Sequence, residues 1–224
     1  MQNTITQDYS KTKRLTTLAG FAAIACVLML VVRIPVVMFL SYEPKDVAIV
    51  MAGFIFGPLA VLPISLVVSL VEMVTVSDTM LWGLLMNVLS SCTFACTAST
   101  IYKRRKTLAG AVWGLACAVV LTTAVMLLWN YIVVPIYTGF PREEVVGMLL
   151  PVFMPFNLVK GGLNAALALL LYKPLIKALR AACLVPEGEN QLAATRSGRL
   201  GVFLIAGLVL ISCVLVVLVL QGRI

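Results

Sequence analysis

The chain has 224 residues, 62% of them hydrophobic and 12% charged, with a net charge of +8 and a mean hydropathy of +1.07. A soluble domain is about 45–50% apolar and about 25% charged, so a water-soluble core is excluded and the bilayer is the natural solvent. The apolar runs are continuous rather than alternating, which selects helices over a membrane barrel, and an all-α integral membrane protein is expected.

The first 14 residues are polar and read as a cytoplasmic N-terminus. The apolar run that follows is too long for a signal-peptide core and reads as a retained first span over 15–39. Further apolar segments fall at 47–76, 80–101, 107–135, 149–172 and 200–220. Segment 47–76 contains Gly53, Gly57 and Pro58. Three basic clusters decide how it runs: Lys11/Lys13/Arg14, Lys103/Arg104/Arg105/Lys106, and Lys173/Lys177/Arg180/Arg196/Arg199. The positive-inside rule places all three in the cytoplasm. A single crossing by 47–76 would put the second cluster outside. A helical hairpin turning at Gly57-Pro58, a turn and helix-start signal, puts every cluster inside.

Seven spans result, at 15–39, 46–56, 58–75, 79–101, 107–134, 150–172 and 200–220. Outer loops lie near 40–45, 76–78 and 135–149, and the C-terminus is expected outside. Residues 15–180 form one membrane domain, and 181–199 is a polar cytoplasmic linker with Pro186, Gly188 and Asn190. The last span, almost pure Leu/Val/Ile, reads as a lipid-facing anchor.

Ionisable residues inside spans are costly and mark candidate sites. On the sixth span Asn157, Lys160 and Asn164 share one helical face. Glu72 lies near the outer end of the third span, Asn87 about two turns into the fourth, and Asn130 near the outer end of the fifth. All sit at similar outer depth, the pattern of a pocket open to the exterior. A Lys160–Glu72 ion pair is the competing reading, structural or part of the pocket wall. Ser65, Ser69, Ser90 and Ser91 fit helix–helix glue better than a site. The charged outer loop, with Tyr42, Glu43, Lys45 and Asp46, and the later one with Tyr137 can cover the pocket or be plain solvated connections. Trp82 and Trp129 suit interfacial anchoring, or stacking on a flat ligand. Ala19 and Ala23, like Ala22 and Cys26, are four apart and allow close helix approach.

Six cysteines and no histidine give no metal-ligand pattern. The phosphate loop GxxxxGK[ST] is absent, as are HExxH and GxSxG, so the chain is not expected to be an enzyme or to hydrolyse ATP itself. The nucleic-acid reading fails because the basic residues border apolar runs instead of forming an aromatic-interleaved surface.

The run YEPKDVAIVMAGFIFGP (42–58) resembles the loop and short helix after the first span of substrate-binding S components of energy-coupling factor (ECF) transporters. WNYIVVPIY (129–137) and MPFNLVKGGLNAALALLLYK (154–173) resemble the riboflavin branch of that family. The resemblance implies a six-helix S-component bundle, here with an extra C-terminal transmembrane helix. It implies uptake of a vitamin, riboflavin or a related flavin, as a transported ligand with no resident cofactor. Its partners would be a membrane T component and two ATPase subunits, with the small residues Ala19 and Ala23 facing the T component. Asn130, Asn157 and Lys160 would touch the ligand, and Asn164, Asn87, Glu72, Tyr137 and Trp82 complete the candidate set. The chain departs from the riboflavin branch in its more charged first loop, SYEPKD, and in its seventh span. An S component for another vitamin or heterocycle, a self-sufficient secondary transporter and a membrane enzyme remain alternative readings.

Overall fold

A computed structural model of the protein describes residues 2–37, 40–77, 79–181 and 196–220. Helix α1 (Gln2–Val31) leads into two short strands, β1 (Ile34–Val37) and β2 (Leu40–Tyr42). Then come α2 (Lys45–Phe56), a 3-10 turn (Pro58–Ala60), α3 (Val61–Thr75), α4 (Met80–Arg105) and α5 (Leu108–Thr138). The chain closes with α6 (Arg142–Met148), a π turn (Leu149–Phe153), α7 (Met154–Ala181) and α8 (Arg196–Leu220). Among the described residues, five helical stretches are long and apolar enough to cross a membrane: 11–31, 58–75, 80–105, 108–138 and 142–172. The expected linker falls largely at 182–195, outside the described residues.

The fold-back at Gly57-Pro58 is present. Gly57 has φ +91°, a conformation that penalises any side chain, and Pro58 opens the next turn. Helix α2 has 12 residues, about 18 Å at 1.5 Å per residue, too short to span about 30 Å of hydrocarbon. It survives because α1, α3, α4 and α7 surround it, and every residue from Lys45 to Phe54 is buried. Its far end is held by an aromatic group, in which Phe54 packs on Tyr102 and Tyr172 while the two tyrosine hydroxyls hydrogen-bond at 2.7 Å. Where α4 and α5 cross, Gly114 lies so close to α4 that an added Cβ would stand 2.8 Å from the Ala98 carbonyl oxygen.

Three sequence expectations are corrected. The first span ends at Val31, not 39, because Pro35 cannot continue a helix and Arg33 resists the bilayer core. The chain instead forms an antiparallel hairpin pairing Ile34 with Tyr42 and Pro35 with Ser41. The loop over 135–149 is mostly helical: α5 runs through Pro135 to Thr138, Gly139 (φ +74°) stops it, and α6 follows. The sixth span enters through a π turn, where Pro151 lacks the N–H of a regular helix. The last span lies within α8. Leu208, Ile211 and Leu215 face outward as an anchor would, but Leu210, Cys213 and Val217 pack against the bundle.

The bundle thus has a hairpin end, carrying β1, β2 and α6, and a basic end, carrying Lys103–Lys106 and Lys177.

Candidate functional site

The hairpin end holds a concentration of buried charge. The chain through SYEPKD looks like solvated loop, yet Glu43, Lys45 and Asp46 are 4%, 1% and 2% exposed. Burial follows from the shortness of α2. Its first turn begins below the hairpin, already inside the ring of α3, α4 and α7. Bare charges there would be prohibitive, so each is paired. The Lys45 ammonium donates to Glu43 Oε2 at 3.0 Å and also to Glu72 Oε2 near the end of α3. Asn87 Nδ2 on α4 donates to the other Glu72 oxygen at 2.7 Å. Ser91 donates to Asp46 Oδ1, and Asn164 Nδ2 on α7 donates to Asp46 Oδ2 at 3.3 Å. Tyr42 donates its hydroxyl to Asn164 Oδ1 at 3.1 Å. Burial, with Asp46 adding to it, raises the Tyr42 phenol, which therefore stays a donor at any ordinary pH.

Arg33 ties the hairpin to α3. Its Nη1 donates to the Val76 carbonyl at 2.7 Å, and its Nε lies 3.5 Å from Glu43 Oε1. Burial alone would raise the Glu43 carboxyl. Lys45, Lys160 and Arg33 outweigh it and hold that carboxyl below its usual range.

These groups border a cavity of about 80 Å³ lined by Arg33, Leu40, Ser41 and Glu43 on the hairpin side, and by Glu72, Asn87, Phe156 and Lys160 on the helix side. Lys160 reaches it without an ion-pair partner within 4 Å among the described residues. The alternative Lys160–Glu72 pair is therefore not formed, because Lys45 occupies Glu72.

Three of the eight sequence candidates, Glu72, Asn87 and Lys160, meet at the cavity. Asn164 lies behind it, bound to Tyr42 and Asp46. Asn157 is buried and donates to the Phe153 carbonyl at 2.7 Å. Asn130 is 3% exposed, and its buried Oδ1 has no hydrogen-bond partner among the described residues. Tyr137 packs with the apolar cluster of Val36, Leu40, Tyr42 and Phe156. Trp82 is 38% exposed and stands outside the lining, as an interfacial anchor would. Sequence reasoning missed Arg33. Its signal was an arginine two residues before a proline in an apolar run. Ser91, read as helix glue, does join two helices, and it does so through Asp46. Among the described residues no three His, Cys, Asp or Glu side chains group as a metal site.

On α1 the two small pairs separate. Ala22 and Cys26 pack against the core, whereas Ala19 and Ala23 are exposed on the outer face.

Among the described residues, this partly polar cavity lies at one end of a bundle whose helices are long and apolar enough to cross a membrane. Residues 13–172 match the family described as "ECF transporter, substrate-specific component". The chain belongs to this family of transporter components, which bind substrate and are not catalytic enzymes. It is 30% identical over 183 residues to the riboflavin transporter RibU of Staphylococcus aureus, covering 77% of this chain and 95% of that protein. It also matches a solved chain described under "Structure and mechanism of the S component of a bacterial ECF transporter", with a TM-score of 0.65 and 30% identity, over 76% of this chain and 99% of that one.

Proposed function

We propose that the protein captures riboflavin or a closely related flavin at its hairpin end and takes it inward as a subunit of an ECF transporter. The observation that carries this reading is the convergence of Glu72, Asn87 and Lys160 on one cavity, in a chain 30% identical to a riboflavin transporter over 77% of its own length and 95% of that transporter's. The donors and acceptors suit a flat heterocycle. Lys160 and Asn87 donate to ring carbonyls or nitrogens, Glu72 accepts a ring N–H, and Phe156 supplies an apolar wall.

The cavity is smaller than the roughly 300–1,000 Å³ of a typical ligand site, so a flavin enters only when the hairpin residues Leu40, Ser41 and Glu43 swing away from α3, α4 and α7. Asn130 and Asn157 then become available. The orphaned Asn130 oxygen is suited to a donor on the ligand.

Orientation follows from charge. The basic end belongs in the cytoplasm, so the hairpin end faces outside. With no phosphate loop of its own, the chain depends on partner ATPases. A membrane T component would dock on the exposed Ala19/Ala23 face of α1, where Gly20 leaves further room.

The reading is tested by co-expressing the chain with candidate T and ATPase subunits and isolating it by its own tag. A complex that takes up riboflavin only with ATP supports it. Riboflavin uptake into vesicles by the chain alone would replace it with a lone secondary transporter.

A further inference from the structure

We propose that α8 is the positioning element of the hairpin, and that Leu210, Cys213 and Val217 set how fast the hairpin uncovers the cavity. The inference rests on the hairpin covering the ligand site, as argued above.

The family match ends at residue 172, and α8 begins only at Arg196. The helix nevertheless packs along α7 and touches β1. Leu210, Cys213 and Val217 follow the i, i+3, i+7 spacing of one helical stripe. They join Val36, Leu40 and Tyr42 of the hairpin and Phe156, Val159 and Leu163 of α7 in one apolar cluster. Gly162 of α7 admits this approach, since a Cβ there would stand 3.1 Å from Cys213 Sγ. The hairpin is thus held between two surfaces. Leu40, Ser41 and Glu43 face the cavity, while Val36, Leu40 and Tyr42 join the cluster that α8 completes.

A two-stranded hairpin is marginal by itself. Uncovering the cavity strips hairpin side chains from this cluster, so α8 stabilises the closed arrangement whether or not ligand is inside. A contact of that kind slows entry and release by the same factor and leaves affinity nearly unchanged. A pocket residue acts differently and changes affinity itself.

The test uses the full chain in detergent or nanodiscs. Leu210→Ala/Val217→Ala is compared with Leu208→Ala/Leu215→Ala, which truncates outward-facing residues of the same helix. Without any ligand, hydrogen exchange at the hairpin amides within 34–37 and 40–42 is expected to quicken on the order of tenfold in the first variant and to stay unchanged in the second, with α3 to α5 unaffected in both. Stopped-flow mixing with riboflavin is expected to show association and dissociation both accelerated by a similar factor. Gly162→Val, which pushes α8 away while keeping its side chains, should reproduce the pattern. Unchanged hairpin exchange in both Leu210→Ala/Val217→Ala and Gly162→Val would overturn the proposal even if riboflavin proves not to be the ligand. A loss of affinity through dissociation alone would place α8 in the pocket wall and equally overturn it.

Discussion

Lys45 and Lys160 are two lysines in one buried neighbourhood with opposite roles. Lys45 pairs with both Glu43 and Glu72, and breaking a buried pair by removing one partner costs about 3–5 kcal/mol. Lys45→Met is therefore expected to lower thermal stability sharply in a melting assay. Lys160 has no ion-pair partner within 4 Å among the described residues, so Lys160→Ala is expected to leave the melting temperature nearly unchanged. It should weaken riboflavin binding by about tenfold or more, the worth of one or more kcal/mol from a charged hydrogen bond. Unchanged affinity would remove the lysine from the site. Glu43 gives a pH signature. Its carboxyl is held below the usual range in the folded protein, so its pairing stabilises the fold fully above its unfolded value, about 4.3, and the benefit fades as pH falls through the lower folded value. The stability gap between the native chain and Glu43→Gln should be constant from pH 7 to about 5 and narrow progressively as pH falls below the unfolded value of about 4.3. Lys160, Glu72 and Asn87 were legible as intramembrane polar groups because such residues stand out in apolar spans, although Asn157, on the same face as Lys160, bonds the Phe153 carbonyl instead of lining the cavity. Lys45 and Asp46 were not legible, because nothing local in SYEPKD distinguishes a buried ion network from a solvated loop.

At the scale of elements, the helical hairpin at Gly57-Pro58 was legible from charge placement alone, since only a fold-back puts all three basic clusters on one side. Gly57→Ala meets open space but a backbone conformation open essentially to glycine alone, so it is expected to cost about 1–3 kcal/mol. Gly114→Ala keeps an ordinary helical backbone but drives a Cβ onto the Ala98 carbonyl. That oxygen belongs to a helix backbone and yields only if α4 and α5 separate, which should cost about 1–3 kcal/mol. Unfolding in increasing denaturing detergent, followed by circular dichroism, compares the two. The β-hairpin at 34–42 was missed because an apolar run dominates its composition, and the local signals against helix were only Arg33 and Pro35. Its pairing is short and owes its stability to what lies on either side, information that no local window contains.

For the whole molecule, the depth of the polar residues implied a pocket open to the exterior, and the resemblance of 42–58, 129–137 and 154–173 to S components implied a binding subunit. Three basic and three acidic side chains, Arg33, Lys45 and Lys160 with Glu43, Asp46 and Glu72, gather where the hairpin caps the bundle, and the ion pairs of Arg33 and Lys45 with Glu43 and Glu72 draw loop, α2 and α3 together. The central claim is that this cavity opens to hold one flavin. Titration of purified protein with riboflavin, followed by quenching of flavin fluorescence, tests it most directly. Saturation at one riboflavin per chain, lost or strongly weakened in Lys160→Ala at unchanged melting temperature, is the predicted result. A well-folded protein that leaves riboflavin fluorescence unquenched at micromolar concentrations would contradict it.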